Sequence, residues 1–455
     1  MTENTASRAL GSEPLGPLLV RYSLPAIIGM VTFSLYNVVD SIFIGHGVGP
    51  LGISGMAVTF PIMNLCVACN VLVGVGGASV SSILLGQGNK DGAEHVLGTV
   101  LILSIVSGLI FGLSCLIFLD DILIRFGASR ESLPYAREFM QVTLLGLPIS
   151  YTLFSLNHVM RATGYPQKAL YTALFTVGVN IVLAPLFIFV LEWGMRGAAL
   201  ATLMSQTIGL FWVLGHFIVP GSEIRFQKGI YAVRRAIVMP IFSIGMAPFL
   251  VNVCASLVVA VINTGLLRHG GDMAVGAYGI INRVLFVVVM IVLGLSQGMQ
   301  PIVGYNFGAQ KLDRVHQTLK YGLIWGTLIT TLGMLVGLLA PGMVAGMFTT
   351  DPDLFALAAD GLRISTMAFP LVGMHIVVSN FFQSIGRAKL SIFLSLTRQI
   401  LFLIPCLLIL PRLLGLNGIW YSIPVSDALA FLSAMVVLAR FRRNAGPVDP
   451  AATKP

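Results

Sequence analysis

Twelve long apolar runs follow one another along this chain, at about 15–44, 53–85, 94–118, 134–160, 167–191, 195–217, 236–266, 273–303, 315–340, 354–384, 388–410 and 416–439. A helix needs about 20 apolar residues to cross the hydrocarbon core of a bilayer, and every run reaches that length. The runs are continuous, without the period-two alternation of a membrane barrel. They predict an all-α polytopic membrane protein with twelve transmembrane helices, several long enough to tilt or to extend beyond the lipid. Composition agrees. Charged residues make up 10% of the chain and hydrophobic ones 56%, with mean hydropathy +0.91. That excludes the two or three soluble domains that 455 residues would otherwise allow.

The formal charge of +9 invites a nucleic-acid reading until its distribution is followed. With the N-terminus in the cytoplasm, Arg125, Arg130, Arg137, Arg196, Arg268 and Arg412 fall on the outer side. Arg283, Arg363 and Arg398 stay within the apolar runs, and the other eighteen of the 27 basic residues lie inside. This asymmetry predicts a multi-pass protein of the plasma (inner) membrane with both termini cytoplasmic. It leaves no case for nucleic acid as a partner. Met1 to Gly16 are polar and lack the apolar core and cleavage site of a secretory signal, so the first run is read as the insertion signal. All five cysteines lie in apolar runs, which argues for packing and against disulfides or a metal site.

The runs form a repeat. Gly88-Asn-Lys-Asp-Gly-Ala-Glu-His, after the second, recurs as Gly308-Ala-Gln-Lys-Leu-Asp-Arg-Val after the eighth. Gly164-Tyr-Pro-Gln-Lys resembles Gly386-Arg-Ala-Lys, Gly194-Met-Arg-Gly resembles Gly415-Leu-Asn-Gly, and Pro185 matches Pro405. Six spans repeated in order predict two six-helix lobes related by a pseudo-twofold axis along the membrane normal. The expected units are a lobe over 1–217, a cytoplasmic linker at 218–235, a second lobe over 236–441 and a cytoplasmic tail at 442–455. This is a transporter layout. No nucleotide-binding Gly-x-x-x-x-Gly-Lys-Ser/Thr loop is present, so active transport would draw on an ion gradient.

Within the first run, Phe33, Tyr36, Asn37 and Asp40 share one helical face, opposite Ile28, Val31, Leu35 and Ile42. An ionisable group at membrane depth costs several kcal/mol and marks a functional site by default. The plainer reading makes Asp40 a hydrogen-bonding strut between helices.

Gly294-Leu-Ser-Gln-Gly-Met-Gln-Pro-Ile-Val-Gly-Tyr-Asn-Phe-Gly-Ala309, Ser395-Leu-Thr-Arg-Gln399 with Pro405, and Gly415-Leu-Asn-Gly-Ile-Trp420 resemble signatures of the multidrug and toxic compound extrusion (MATE) family. The resemblance covers essentially the whole chain. It implies two bundles around a V-shaped cavity and antiport of small organic, cationic or lipophilic compounds, antibiotics among them, against H+ or Na+. It implies no cofactor, and a monomer in the lipid bilayer. It also implies an ion-coupling set of Asp40, Asn37, Asn180 and Thr202. Family members often carry an acid where this chain has Ala184, which weakens a sodium site. The seventh span has Asn252 and Asn263 but no acid, and aligning Gly29-Met30 with Gly245-Met246 places Ser256 opposite Asp40. Coupling is therefore expected in the first lobe.

Tyr36, Phe154 and Met204 are the expected substrate-cavity residues. Arg398 and Asp427 are read as a structural ion pair, and His158 and His375 as packed core. The competing function is a flippase of lipid-linked saccharides, which would need cationic residues facing its cavity to hold pyrophosphate. No metalloprotease motif, paired aspartates or nucleophile–base pair is visible, so the chain is not read as an enzyme.

Overall fold

The computed structural model describes residues 8–219, 221–349 and 351–444, apart from the side chains of Asn37, Val38, Asp272 and Asn444. Among the described residues, ten helices are each long and apolar enough to cross a membrane: Leu15–Gly47, Pro50–Gly86, Lys90–Ile117, Pro166–Val190, Gly194–Ile218, Arg235–Gly271, Met273–Gly308, Leu312–Leu339, Ala388–Leu414 and Leu416–Arg443. The fourth and tenth spans are bent pairs, Leu133–Leu145 with Leu147–Ala162 (56°) and Pro352–Thr366 with Phe369–Ser384 (53°). Each bend sits just before a proline, Pro148 and Pro370, whose ring cannot continue the hydrogen-bond ladder of the preceding turn. With the pairs counted as single spans, all twelve expected segments are present. Apolar side chains such as Ile117, Phe211 and Leu339 stay exposed on the outside, as a surface facing acyl chains requires.

Backbone conformation repeats along with the sequence. Positive φ occurs at Gly49 and Gly271, at Gly88 and Gln310, and at Gly164 and Gly386, each pair 222 residues apart. Gly194 and Gly415, 221 apart, continue the series. Each pair ends or opens a span, so the two halves turn at equivalent places. This register overturns the pairing of Asp40 with Ser256. The residue 222 beyond Asp40 is Ile262, apolar and buried. The mirrored helix offers no polar group there, so the chemical inequality of the halves is sharper than expected.

The lobes meet where the second and eighth spans cross. A side-chain carbon at Gly86 would run into the Tyr305 carbonyl, and one at Gly308 into that of Ile83. The repeat exchanges these two contacts, so the crossing is itself twofold. Gly76 meets the Ile241 carbonyl and Gly245 that of Leu72 in the same way. Backbones this close need residues without Cβ. Polar bonds reinforce the seam: Gln300 Nε2 donates to Ser79 Oγ at 2.5 Å, Ser23 Oγ to the Leu295 carbonyl at 3.3 Å, and Arg161 to Gln297 Oε1.

The first span belongs to both lobes. Leu15, Leu18, Leu19 and Tyr22 sit in one core cluster with Val292, Met299, Phe381 and Ala434 of the second lobe. Ile44, further along the same helix, packs with Ile62, Met140, Ala184 and Ala198 of the first. The short helix Arg8–Ser12 is pinned beneath the second lobe, where Asn306 Nδ2 and Arg314 Nη2 donate to the Leu10 carbonyl at 2.8 and 3.1 Å and Lys311 Nζ to that of Gly11 at 2.8 Å. Cationic donors at a helix C-terminus satisfy its orphan carbonyls and oppose its dipole. The connection around 218–235 is packed, with Ile224 and Ile230 buried and Gln227 Nε2 on Glu94 Oε1 at 3.2 Å. Tyr165 donates to the Gly221 carbonyl at 3.3 Å. Burial raises its phenol above the ordinary range, which keeps that proton in place.

Gly308→Leu and Gly86→Leu should each force the crossing apart at about 1–3 kcal/mol, the usual size of an overpacking penalty. Thermal unfolding of the purified protein in detergent checks this. Gly215→Leu, where an added carbon meets nothing within 4 Å, is the control, and the interface variants should melt several degrees below it.

Candidate functional site

Four helices of the first lobe line a partly open cavity, a concave setting of the kind small-molecule sites use. The first span contributes Gly29, Phe33 and Tyr36, the fourth Phe154 and Asn157, the fifth Thr172, Thr176 and Asn180, and the sixth Thr202, Ser205 and Gln206. One wall is aromatic. Phe33 meets Phe154 edge to face at 6.4 Å and Tyr36 at 6.3 Å between ring centroids, within the range of mutual aromatic packing.

Joined to it through Tyr36 is a polar network centred on Thr202. Its hydroxyl donates to the Ala198 carbonyl at 3.2 Å, which leaves its lone pairs to accept. Asn180 Nδ2 donates to it at 3.1 Å, and the Tyr36 hydroxyl lies 2.9 Å away. A hydroxyl has one proton and two lone pairs, so Tyr36 completes the set as donor. One threonine thus joins the first, fifth and sixth spans. The Gln206 amide oxygen accepts from Ser150, and Asn157 Nδ2 donates to the Ala169 carbonyl at 3.1 Å.

Asp40 lies one helical turn beyond Tyr36 and is only 4% exposed. Its Oδ1 is buried with no hydrogen-bond partner among the described residues. Below it, Ile44 packs in the same cluster as Ala184, which is fully buried and has no oxygen in its side chain. Asp40 therefore sits one turn from Tyr36 on one side and one turn from Ile44 on the other, with an acceptor to spare among the described residues. A buried oxygen in that position takes a proton, a water or a donor from a ligand.

The structure brings together Tyr36, Asn180 and Thr202, and it places Phe154 on the cavity wall. The side chain of Asn37 lies outside the described residues. Met204 does not join them. It is 44% exposed and absent from the lining, because two residues along a helix turn the side chain about 200° away from Thr202. Thr172, Thr176, Ser205 and Gln206 were missed by sequence reasoning, although the signal was legible. Thr172, Thr176 and Asn180 recur every four residues along one face of the fifth span, and Thr202 and Gln206 do so on the sixth. His375 is buried, with a ring nitrogen 3.2 Å from the Leu394 carbonyl. The Arg398–Asp427 pair forms at 2.8 Å.

Thr202→Val should be more destabilising than Tyr36→Phe. The first strands two donors, a penalty of about 1–3 kcal/mol, and the second removes one hydrogen bond worth about 1 kcal/mol. Melting temperatures of the two purified variants test the order.

Among known proteins, the MatE family matches this chain over residues 25–186 and 248–408. The multidrug export protein MepA of Staphylococcus haemolyticus is 31% identical over 435 residues, spanning 95% of each chain. The structure of the MATE multidrug transporter DinF-BH superposes with a TM-score of 0.88 at 34% identity, covering 95% of this chain and 97% of that one. A MOP superfamily transporter from Pyrococcus furiosus, described as having a binding pocket of reverse polarity, superposes with a TM-score of 0.91 at 25% identity, over 98% and 99% of the two chains.

Proposed function

Because this chain belongs to the MatE family, matched in both of its halves, we propose that it is a secondary active multidrug efflux antiporter. It would export organic, cationic or lipophilic compounds across the plasma membrane in exchange for protons, with sodium as the competing coupling ion. The observation that carries this reading is the buried Asp40 Oδ1, without a hydrogen-bond partner among the described residues, one helical turn from Tyr36 on the cavity wall. The export activity named for MepA supports it.

On this reading Asp40 is the coupling residue. Ionised, it attracts a cationic substrate into the aromatic cavity. Protonated, it loses that charge and the first span repacks, with Pro25 as the bending point. The shared packing of that span lends the step its reach, because movement about Pro25 acts on the cores of both lobes. Tyr36, Asn180 and Thr202 position the helices around the carboxyl. With the N-terminus in the cytoplasm, the seam at Gly86 and Gly308 closes the cytoplasmic side, and the cavity serves the outward-open stage. The units 1–217 and 236–441 act as the moving lobes and 218–235 as their connection, within a single protomer.

The energetics are adequate. One proton exchanged for one monovalent cation moves no net charge, so the pH difference supplies about 1.4 kcal/mol per unit. A neutral substrate adds the membrane potential, about 2.3 kcal/mol per 100 mV. Asp40→Asn should abolish export while leaving folded protein in the membrane. The measurement is substrate-dependent proton release from reconstituted vesicles, with and without sodium. Retained efflux by the variant would remove Asp40 from the coupling step, and release that requires sodium would change the ion.

A further inference from the structure

The repeat carries the cavity of the first lobe onto a different set of side chains in the second. Pro148 and Pro370 open the second halves of the two bent spans, 222 residues apart. On that register Leu153 and Asn157 become His375 and Ser379. On the 221 register of Gly194 and Gly415, Gln206 becomes Asp427. The fifth and eleventh spans are anchored by Gly164 with Gly386, 222 apart, and Pro185 with Pro405, 220 apart, so Arg398 falls at the level of Thr176 to Gly178. Positions that are neutral in the first lobe thus hold a histidine, a serine, an arginine and an aspartate in the second.

Polar contacts join these spans. Ser379 and Ser395 lie 2.9 Å apart through their hydroxyls, and Arg398 Nε donates to Asp427 Oδ1 at 2.8 Å. Asp427 is 2% exposed, and its Oδ2 has no partner among the described residues. Gln399 Oε1, next to Arg398, is also buried and unpartnered among them. Arg398 commits only its Nε edge. The Arg398 side chain is 26% exposed, and neither Nη makes a hydrogen bond among the described residues. Both Arg398 and Gln399 sit on a π-helical turn, Thr397–Leu403, a distortion that recurs at functional sites.

A guanidinium near the middle of a membrane span faces the protein interior or a wet cavity, because acyl chains cannot solvate it. Asp427 neutralises this one and holds its plane. The free Nη edge then presents parallel donors in a fixed fork, matched to a carboxylate. We propose that the second lobe carries a binding site of its own, in which the free edge of Arg398 receives the carboxylate of an anionic or zwitterionic organic substrate. Asp427 is a positioning residue there. The site rests on the efflux reading and extends its substrate class beyond cations.

A matched pair of dyes tests it: rhodamine 110, which has a free carboxylate, and rhodamine 123, its methyl ester. Affinities of the purified full-length protein in detergent are read by fluorescence anisotropy. Arg398→Gln alone would leave Asp427 charged and unpaired in the bundle, so the informative variant is Arg398→Gln with Asp427→Asn, checked for folding by size exclusion. The double variant should bind the free acid about ten-fold more weakly or worse, the loss of one charged hydrogen bond, and the ester within about two-fold of wild type. Arg398→Lys, which keeps the charge and loses the fork, should fall between. Equal loss of both dyes, or loss of neither, overturns the site. If wild type binds the ester but not the acid, this inference fails alone. If wild type binds neither dye and vesicles export neither, the efflux reading falls with it.

Discussion

A polar group inside hydrocarbon has only other protein groups, or trapped water, to bond with. That constraint sets the architecture of this chain. It makes every span a helix, and it forces the few polar side chains at membrane depth to find one another across helices. In the first lobe they converge on Thr202, and in the second on the Arg398–Asp427 pair. Helix association in such surroundings gains little from burial of apolar surface. Glycine-lined backbone contact and a few amide and hydroxyl bonds therefore join the lobes alongside the apolar packing of the first span.

The fold was legible in the sequence to an unusual degree, since twenty apolar residues in a row admit few structures. All twelve spans lie where hydropathy put them, and the repeat reappears in the positive-φ positions. The bends in the fourth and tenth spans were not foreseen, although Pro148 and Pro370 were in plain view. A proline inside an apolar run is ambiguous, because neighbouring helices can satisfy the freed carbonyls and leave the span nearly straight.

The site was legible in outline. Asp40 stood out because charge is rare at that depth, and Tyr36, Asn180 and Thr202 join one another one helical turn away from it. The position of Met204 outside the lining and the overlooked Gln206 share one cause. Hydrophobicity cannot tell a side chain that faces lipid from one that faces a cavity, whereas the four-residue spacing of Thr202 with Gln206 can. Likewise Ser256 was paired with Asp40 through a local glycine match. Only the turn geometry, Gly49 against Gly271, shows that the register differs by six residues. The divergence of the two halves is the part no pattern announces. The repeat keeps the scaffold in both halves, while the interior of each carries its own side chains.

The division of the first span between two cores bears on how the molecule is made. Leu15, Leu18, Leu19 and Tyr22 leave the ribosome about 270 residues before their partners, which begin near Val292. At roughly 5–20 residues per second, that segment waits for tens of seconds in the bilayer before its packing surface exists. The second lobe is correspondingly incomplete without the first few turns of the chain. Hybrids spliced between relatives at the central connection would inherit a foreign helix in their carboxy-terminal core, so a graft that respects assembly must carry the amino-terminal segment along with the half it stabilises.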